Sequence, residues 1–84
     1  MGGSLGVDAM REHADPMARR RRIGGRLRWW RQRRHLSQAE LARRVGVTQS
    51  TLSHYESGKR DPTLGIFLTL IEALDVEPAV ILRP

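Results

Sequence analysis

Nine arginines are concentrated in one stretch of this 84-residue chain, and no acidic side chain lies among them. The stretch runs between Pro16 and Ala39, whereas the chain beyond Arg60 has an acidic balance. The formal net charge of the whole chain is +6. A positive field attracts polyanions, so nucleic acid and anionic membranes are the partners to weigh first, ahead of acidic proteins. The arginines are Arg19, Arg20, Arg21, Arg22, Arg26, Arg28, Arg31, Arg33 and Arg34.

A second group of polar side chains runs from Gln49 to His54 and is suited to hydrogen bonding. The Gln49 amide can donate and accept together, so it could pair with the N6 and N7 edge of adenine. Taken singly, the serines and threonine of this run are more simply interpreted as a solvated helix face. Whether they do chemistry depends on the element that carries them.

Groups for catalysis and for metal binding are scarce. The chain has no cysteine, and His13, His35 and His54 lie too far apart in sequence to suggest a local ligand pair. No nucleophile and base, carboxylate pair or phosphate-binding loop is recognisable, and a helical chain of this size offers no deep pocket. We therefore expect no enzyme activity, no metal and no other cofactor.

No apolar run approaches the roughly 20 residues that a membrane-spanning helix needs. The first six residues also lack the basic start and apolar stretch of a signal peptide. These features predict a soluble, cytoplasmic protein without a membrane partner.

The apolar spacing predicts an all-α fold, a compact bundle of about five short helices in one domain. Ile23, Leu27 and Trp30 recur at i, i+4 and i+7, which places them on one face of a first helix. Little apolar content precedes this helix, so residues 1–18 are predicted to be a mobile arm or a cloning remnant, and residues 19–84 the domain. The predicted helices span residues 19–34, 37–45, 49–56 and 62–74, with a last short turn at 80–82.

The second and third helices have the features of a helix-turn-helix unit. Ser37 and Glu40 form a capping box at the start of the second helix, and Thr48 is a good N-cap for the third. Gly46 lies between them, where a tight turn needs positive φ. Ala42 must be small because the two helices cross there.

The segment from Ser37 to Ser57, SQAELARRVGVTQSTLSHYES, resembles the helix-turn-helix of lambda-repressor-like domains, also called the XRE family. The resemblance extends from Ile23 to about Val76, which is most of the chain. It implies that the third helix lies in the major groove of double-stranded DNA, with its first residues at the base edges. The residues implied for base contacts are Gln49, Ser50 and His54, flanked by Thr51 and Ser53.

The same resemblance implies contacts to backbone phosphates and one structural ion pair. Gln38 would bind a phosphate and buttress Gln49, and an ion pair between Arg31 and Glu56 would tie the first helix to the third. Arg19 to Arg22 remain open, either as an arm on the DNA or as a hydrophilic helix face. The further residues implied for phosphate contacts are Thr48, Arg43, Lys59 and Arg60, of which Arg43 could equally be solvated.

The fourth helix is more apolar than one stripe facing a small core requires, which predicts a second buried face. Leu64, Phe67, Ile71 and Leu74 fit the core. Similar domains dimerise through this end of the fold, which implies a two-fold interface. Its predicted residues are Ile66, Leu70, Val80, Ile81 and Leu82.

These expectations favour a homodimeric transcriptional regulator, most simply a repressor, bound to a pseudo-palindromic operator. A controller that also activates fits the same features. The alternative is a protein-interaction module of the same fold, such as an antitoxin with a toxin partner or a regulator with a protein antagonist. A basic peptide on a membrane surface is the third class, but Ile23, Leu27 and Trp30 are needed for the core.

Overall fold

The structure is a computed structural model and describes residues 15–84, which contain five helices and no strand. The predicted all-helical fold with a helix-turn-helix at the second and third helices is confirmed. No helix in this part of the chain is long and apolar enough to cross a membrane. The helices are α1 (Pro16–Arg33), α2 (Gln38–Val45), α3 (Gln49–Ser57), α4 (Leu64–Leu74) and α5 (Pro78–Leu82).

Helix α1 begins three residues before the predicted start at Arg19. The Asp15 carboxylate accepts a hydrogen bond from the backbone N–H of Met17 at 3.0 Å. Pro16 follows in the first turn, where its fixed φ suits a helix and its missing N–H costs nothing. The prediction that residues 16–18 belong to the arm was therefore wrong, and residues 1–14 of that arm lie outside the described residues.

Helix caps and a left-handed glycine, all formed between residues close in sequence, shape the helix-turn-helix. The backbone N–H of Glu40 donates to Ser37 Oγ at 3.0 Å, and the Ser37 N–H donates to Glu40 Oε1 at 3.0 Å. Helix α2 ends at Gly46, whose φ of 85° is the left-handed conformation that glycine adopts without a Cβ penalty. Thr48 then caps α3 by accepting from the backbone N–H of Thr51 at 3.0 Å.

Part of the folding stability depends on pH, because the capping box contains the ionisable side chain of Glu40. Hydrogen bonds from the backbone and the side chain of Ser37 lower the pKa of Glu40 from its ordinary value of 4.5, and the charges of Arg43 and Arg44 add to the effect. Because the pKa is lowered in the folded state, the stabilisation is complete above the unfolded value and is lost as pH falls through the folded value.

We expect Glu40→Gln to remove this acid-dependent component. Glutamine also serves at this position of a capping box, so stability at neutral pH should change little. The measurement is urea unfolding of both proteins from neutral pH down to about pH 3. Parallel pH profiles for the two proteins would show that the Glu40 charge does not contribute.

One hydrophobic core joins all five helices. Its centre consists of side chains with no exposed surface, and each such side chain contributes about 1.5–3 kcal/mol of transfer free energy. Trp30 packs partly against this core, whereas the neighbouring Trp29 is 49% exposed. The fully buried side chains are Leu27, Leu41, Leu52, Leu70, Leu74 and Ile81.

Two residues predicted for a dimer interface, Leu70 and Ile81, are instead fully buried in this core, so that part of the prediction was wrong. The buried stripe of α4 consists of Phe67, Leu70, Ile71 and Leu74. Leu64, predicted for the core, is 73% exposed. It is the first residue of α4 and lies beyond the N-terminal end of the buried stripe.

Helix α5 is held with Ile81 inward by arginines of α1. Arg22 Nη1 donates to the carbonyl of Leu82 at 3.0 Å, and Arg26 Nη1 donates to the carbonyl of Ile81 at 3.1 Å. Both guanidinium groups also donate to the carbonyl of Arg83. Cations at a helix C-terminus satisfy its free carbonyls and stabilise the helix dipole.

Candidate nucleic-acid interface

The exposed face of α3 gathers most of the side chains predicted to read bases. Gln49, Ser50 and His54 are exposed and Ser53 is half-buried, while the opposite face carries the buried Leu52, Tyr55 and Glu56. At 100° per residue, positions 49, 50, 53 and 54 occupy one continuous side of the helix. The N-terminal half of α3 therefore presents a polar ridge to solvent.

Thr51 lies at the far edge of this ridge and is engaged locally. The Thr48 hydroxyl donates to Thr51 Oγ1 at 2.9 Å, in addition to accepting from the Thr51 N–H. The two threonines thus lock the start of α3. Base contact by Thr51 and phosphate contact by Thr48 remain predictions.

Gln38 connects the two helices of the motif. Its Nε2 donates to Glu56 Oε1 at 3.1 Å, and its Oε1 accepts from Nε2 of Gln49 at 3.4 Å. The predicted buttressing of Gln49 by Gln38 is thus present in the structure. Gln38 is the first residue of α2, where free N–H groups and the helix dipole favour an anion such as phosphate.

The ion pair implied by the resemblance is also present. Arg31 Nε donates to Glu56 Oε2 at 2.7 Å and Arg31 Nη2 donates to Glu56 Oε1 at 3.1 Å, which is a two-point contact. The two side chains are 11% and 3% exposed. Arg31 Nη1 also donates to the carbonyl of Leu36 at 2.8 Å, so the same guanidinium holds the segment leading into α2.

Further cationic residues lie before and after α3 in the sequence. Lys59 and Arg60 are exposed in the loop after α3, and their backbone N–H groups donate to the carbonyl of His54 at 3.0 and 3.3 Å. These bonds fix the loop to the end of α3. Arg43 and Arg44 are exposed in the last turn of α2. Phosphate contact by Arg43, Lys59 and Arg60 remains a prediction.

Part of the arginine run serves the fold, which the sequence alone did not reveal. Besides Arg22 and Arg26, Arg34 donates from Nε to the carbonyl of Leu74 at 2.7 Å and from Nη2 to that of Asp75 at 3.0 Å, which caps α4. Arg20 pairs with Asp61 at 3.3 Å. No local pattern indicates these contacts, because the arginines and their partners lie far apart along the chain.

The described residues 15–84 contain no group of three histidine, cysteine, aspartate or glutamate side chains placed to hold a metal ion.

Comparisons with known proteins converge on one family. The model of a helix-turn-helix family (HTH_3) matches residues 27–81. The chain is 40% identical over 62 residues to an uncharacterized HTH-type transcriptional regulator, y4dL, of Sinorhizobium fredii, covering 74% of this chain and 31% of that protein. It is 33% identical over 46 residues to antitoxin HipB of Escherichia coli, covering 55% of this chain and 52% of HipB. The chain thus spans about a third to a half of these relatives.

Among solved structures, the fold is similar to the restriction-modification controller protein C.AhdI from Aeromonas hydrophila. The TM-score is 0.72 at 38% sequence identity, and the match covers 76% of this chain and 97% of the controller chain. The likeness therefore extends over nearly the whole of a protein of comparable size.

Proposed function

Since the chain belongs to the helix-turn-helix family of lambda-repressor-like (XRE) transcriptional regulators, we propose that it binds a specific double-stranded DNA sequence as a homodimer and represses transcription there. The observation that carries this proposal is the polar ridge of Gln49, Ser50, Ser53 and His54 at the start of α3. In this fold that part of the recognition helix enters the major groove.

The residues around the ridge support a groove-bound position. Gln38 at the start of α2 and the loop carrying Lys59 and Arg60 flank α3 in the sequence and are fixed to it by hydrogen bonds. From these positions Gln38, Lys59 and Arg60 would contact backbone phosphates. Phosphate contacts set the register of a protein on DNA, and base contacts then specify the sequence. The net charge of +6 attracts the duplex at longer range.

The test is selection from a pool of random duplexes, followed by binding to the best site at several salt concentrations. We expect enrichment of a pseudo-palindrome whose half-sites lie about one helical turn apart. The logarithm of the affinity should fall linearly with that of salt, by about 0.9 for each phosphate neutralised. A steep salt dependence without any enriched sequence would contradict specific recognition.

We propose that the two-fold contact uses the exposed apolar residues of α4 and α5. Leu64, Leu68 and Leu82 are 73%, 46% and 45% exposed, and they line a groove of about 400 Å³ together with Phe67 and Pro78. Leu70 and Ile81 take no part because they are buried in the core. Ile66 and Val80 are partly buried against the core, so only the exposed part of each side chain can contribute to the dimer contact.

A charge in this groove should separate the protomers. We expect Leu68→Glu to weaken dimerisation at least tenfold, about 1.4 kcal/mol, because the carboxylate would be desolvated at the interface. Thr69→Glu, on the neighbouring side of α4, is the matched control and should leave association nearly unchanged. The measurement is sedimentation equilibrium, with circular dichroism to confirm folding. Equal association of the two variants would place the dimer contact elsewhere.

The similarity to antitoxin HipB supports a second candidate, a protein-binding module with weak or non-specific DNA binding. The same apolar groove would then hold a partner protein. The selection experiment separates the two candidates, because a pure protein-binding module enriches no DNA sequence.

A further inference from the structure

An open groove of about 480 Å³ lies at the C-terminal end of α1, and it contains none of the residues assigned to DNA or to the dimer contact. The guanidinium carbon of Arg33 lies 4.9 Å from the centroid of the Trp29 ring. That of Arg34 lies 5.0 Å from the Trp30 ring, and the two indoles meet edge to face. We call this surface the tryptophan–arginine groove, and it is lined by Trp29, Trp30, Gln32, Arg33, Arg34 and His35.

The exposed indole of this groove points away from both the core and α3. Trp29 is two residues, about 200° around the helix, from the buried Leu27 and from Arg31, which contacts α3. Arg33 follows one turn later and shares this outer side. Trp29 is 49% exposed. DNA bound to the polar ridge of α3 would therefore leave the groove open to a second partner.

The Arg33 guanidinium is arranged to receive a carboxylate. Trp29 covers the flat face of this group, and stacking leaves free the N–H groups along its edge, which donate as a planar fork. A carboxylate can accept two parallel hydrogen bonds from such a fork. Among residues 15–84, no carboxylate pairs with Arg33 and no acidic residue lines the groove. The groove therefore has a positive charge that an acidic partner would complement.

His35 supplies an independent observation, because its backbone is strained. Its φ is 58°, in the left-handed region that is unfavourable for a residue with a Cβ. It follows the C-cap of α1, where glycine is the usual residue. Its side chain lines the groove, and residues held in such conformations cluster at functional sites. The strain is thus explained by a need for the imidazole rather than by a need of the fold.

We propose that the tryptophan–arginine groove binds an acidic segment of a partner protein. A carboxylate of that segment pairs with Arg33, a neighbouring apolar side chain covers the exposed part of Trp29, and His35 makes a further contact. Tryptophan and arginine are the residues that most often dominate protein–protein affinity. The exposed indole favours a protein over a phosphate backbone, since phosphates would leave its apolar surface in water. This interaction goes beyond DNA binding and does not require it.

The test is selection of random dodecapeptides displayed on phage, after removal of those that bind the Trp29→Gln protein. We expect the peptides retained by the wild type to carry aspartate or glutamate next to an aromatic or aliphatic residue. The best of them, made synthetically, should bind Arg33→Gln about tenfold more weakly. Arg44→Gln is the matched control, because it removes the same charge from an exposed site in the last turn of α2. It should bind the peptide as the wild type does.

His35→Gly gives two readouts of opposite sign. Glycine relieves the strained backbone, so the midpoint of thermal unfolding should rise by about 4 °C. The affinity for the selected peptide should nevertheless fall severalfold, because the imidazole contact is lost. A merely structural role for His35 would not produce this combination.

Four results would each overturn the inference. The first is that no peptide distinguishes the wild type from folded Trp29→Gln protein, as verified by circular dichroism. The second is an equal loss of peptide affinity in Arg33→Gln and Arg44→Gln, which would indicate attraction by net charge alone. The third is unchanged peptide affinity in His35→Gly. The last is displacement of the peptide by single-stranded oligothymidylate in a Trp29-dependent manner, which would assign the groove to base stacking instead.

Discussion

Gly24→Ala is expected to destabilise the protein by about 3 kcal/mol, among the largest effects of any single methyl group in the chain. A Cβ at position 24 would lie 2.7 Å from the carbonyl oxygen of Glu56 and would overlap that of Tyr55. Both obstacles are backbone atoms of α3, so no side-chain rotation relieves them. Helix α1 would have to move away from α3, which would also disturb the Arg31–Glu56 pair.

Gly25 provides the matched control, because a Cβ there would have nothing within 4 Å. Gly25→Ala should raise stability by about 0.5–1 kcal/mol, since alanine loses less conformational entropy than glycine in a helix. Urea unfolding followed by circular dichroism measures both variants. Similar unfolding free energies for the two would mean that α1 and α3 do not approach as closely as described.

Arg31→Met is expected to cost about 3–5 kcal/mol, because it leaves the carboxylate of Glu56 buried without its cation. The exposed pair of Arg20 and Asp61 is the comparison. Asp61→Asn removes that pair, in which the side chains are 34% and 43% exposed, and should cost less than about 1 kcal/mol.

The double variant Arg31→Met with Glu56→Leu isolates the cause. Replacing both partners by apolar groups removes the stranded charge, so most of the stability lost in Arg31→Met should return. The measurement is the free energy of unfolding of the single and double variants, obtained by chemical denaturation. A double variant less stable than Arg31→Met would mean that Glu56 stabilises the fold without Arg31.

The helix-turn-helix was predictable because its signals are local. The capping box at Ser37 and Glu40, the cap at Thr48 and the left-handed Gly46 each act within four residues along the chain. Such contacts depend on residue type and spacing alone. The family resemblance added the Arg31–Glu56 pair and the Gln38–Gln49 contact.

The buried face of α4 was not predictable because nearly every residue of that helix is apolar. Leu64 and Leu70 fit a helical stripe equally well by spacing, and only packing against the other helices separates a 73% exposed leucine from a fully buried one. Arg34 posed the same difficulty, since its partners Leu74 and Asp75 lie 40 and 41 residues away in sequence. The contact of Gln38 with Glu56 likewise joins two separate helices.

The central claim is that Gln49 reads a base edge in the major groove. The most direct measurement compares wild-type and Gln49→Ala protein on the selected duplex, with each adenine replaced in turn by 7-deazaadenine, which lacks the N7 acceptor. We predict one adenine in each half-site where the replacement costs the wild type about 1–3 kcal/mol and costs Gln49→Ala nothing. Equal losses for both proteins at every adenine, or no loss at any, would contradict the account.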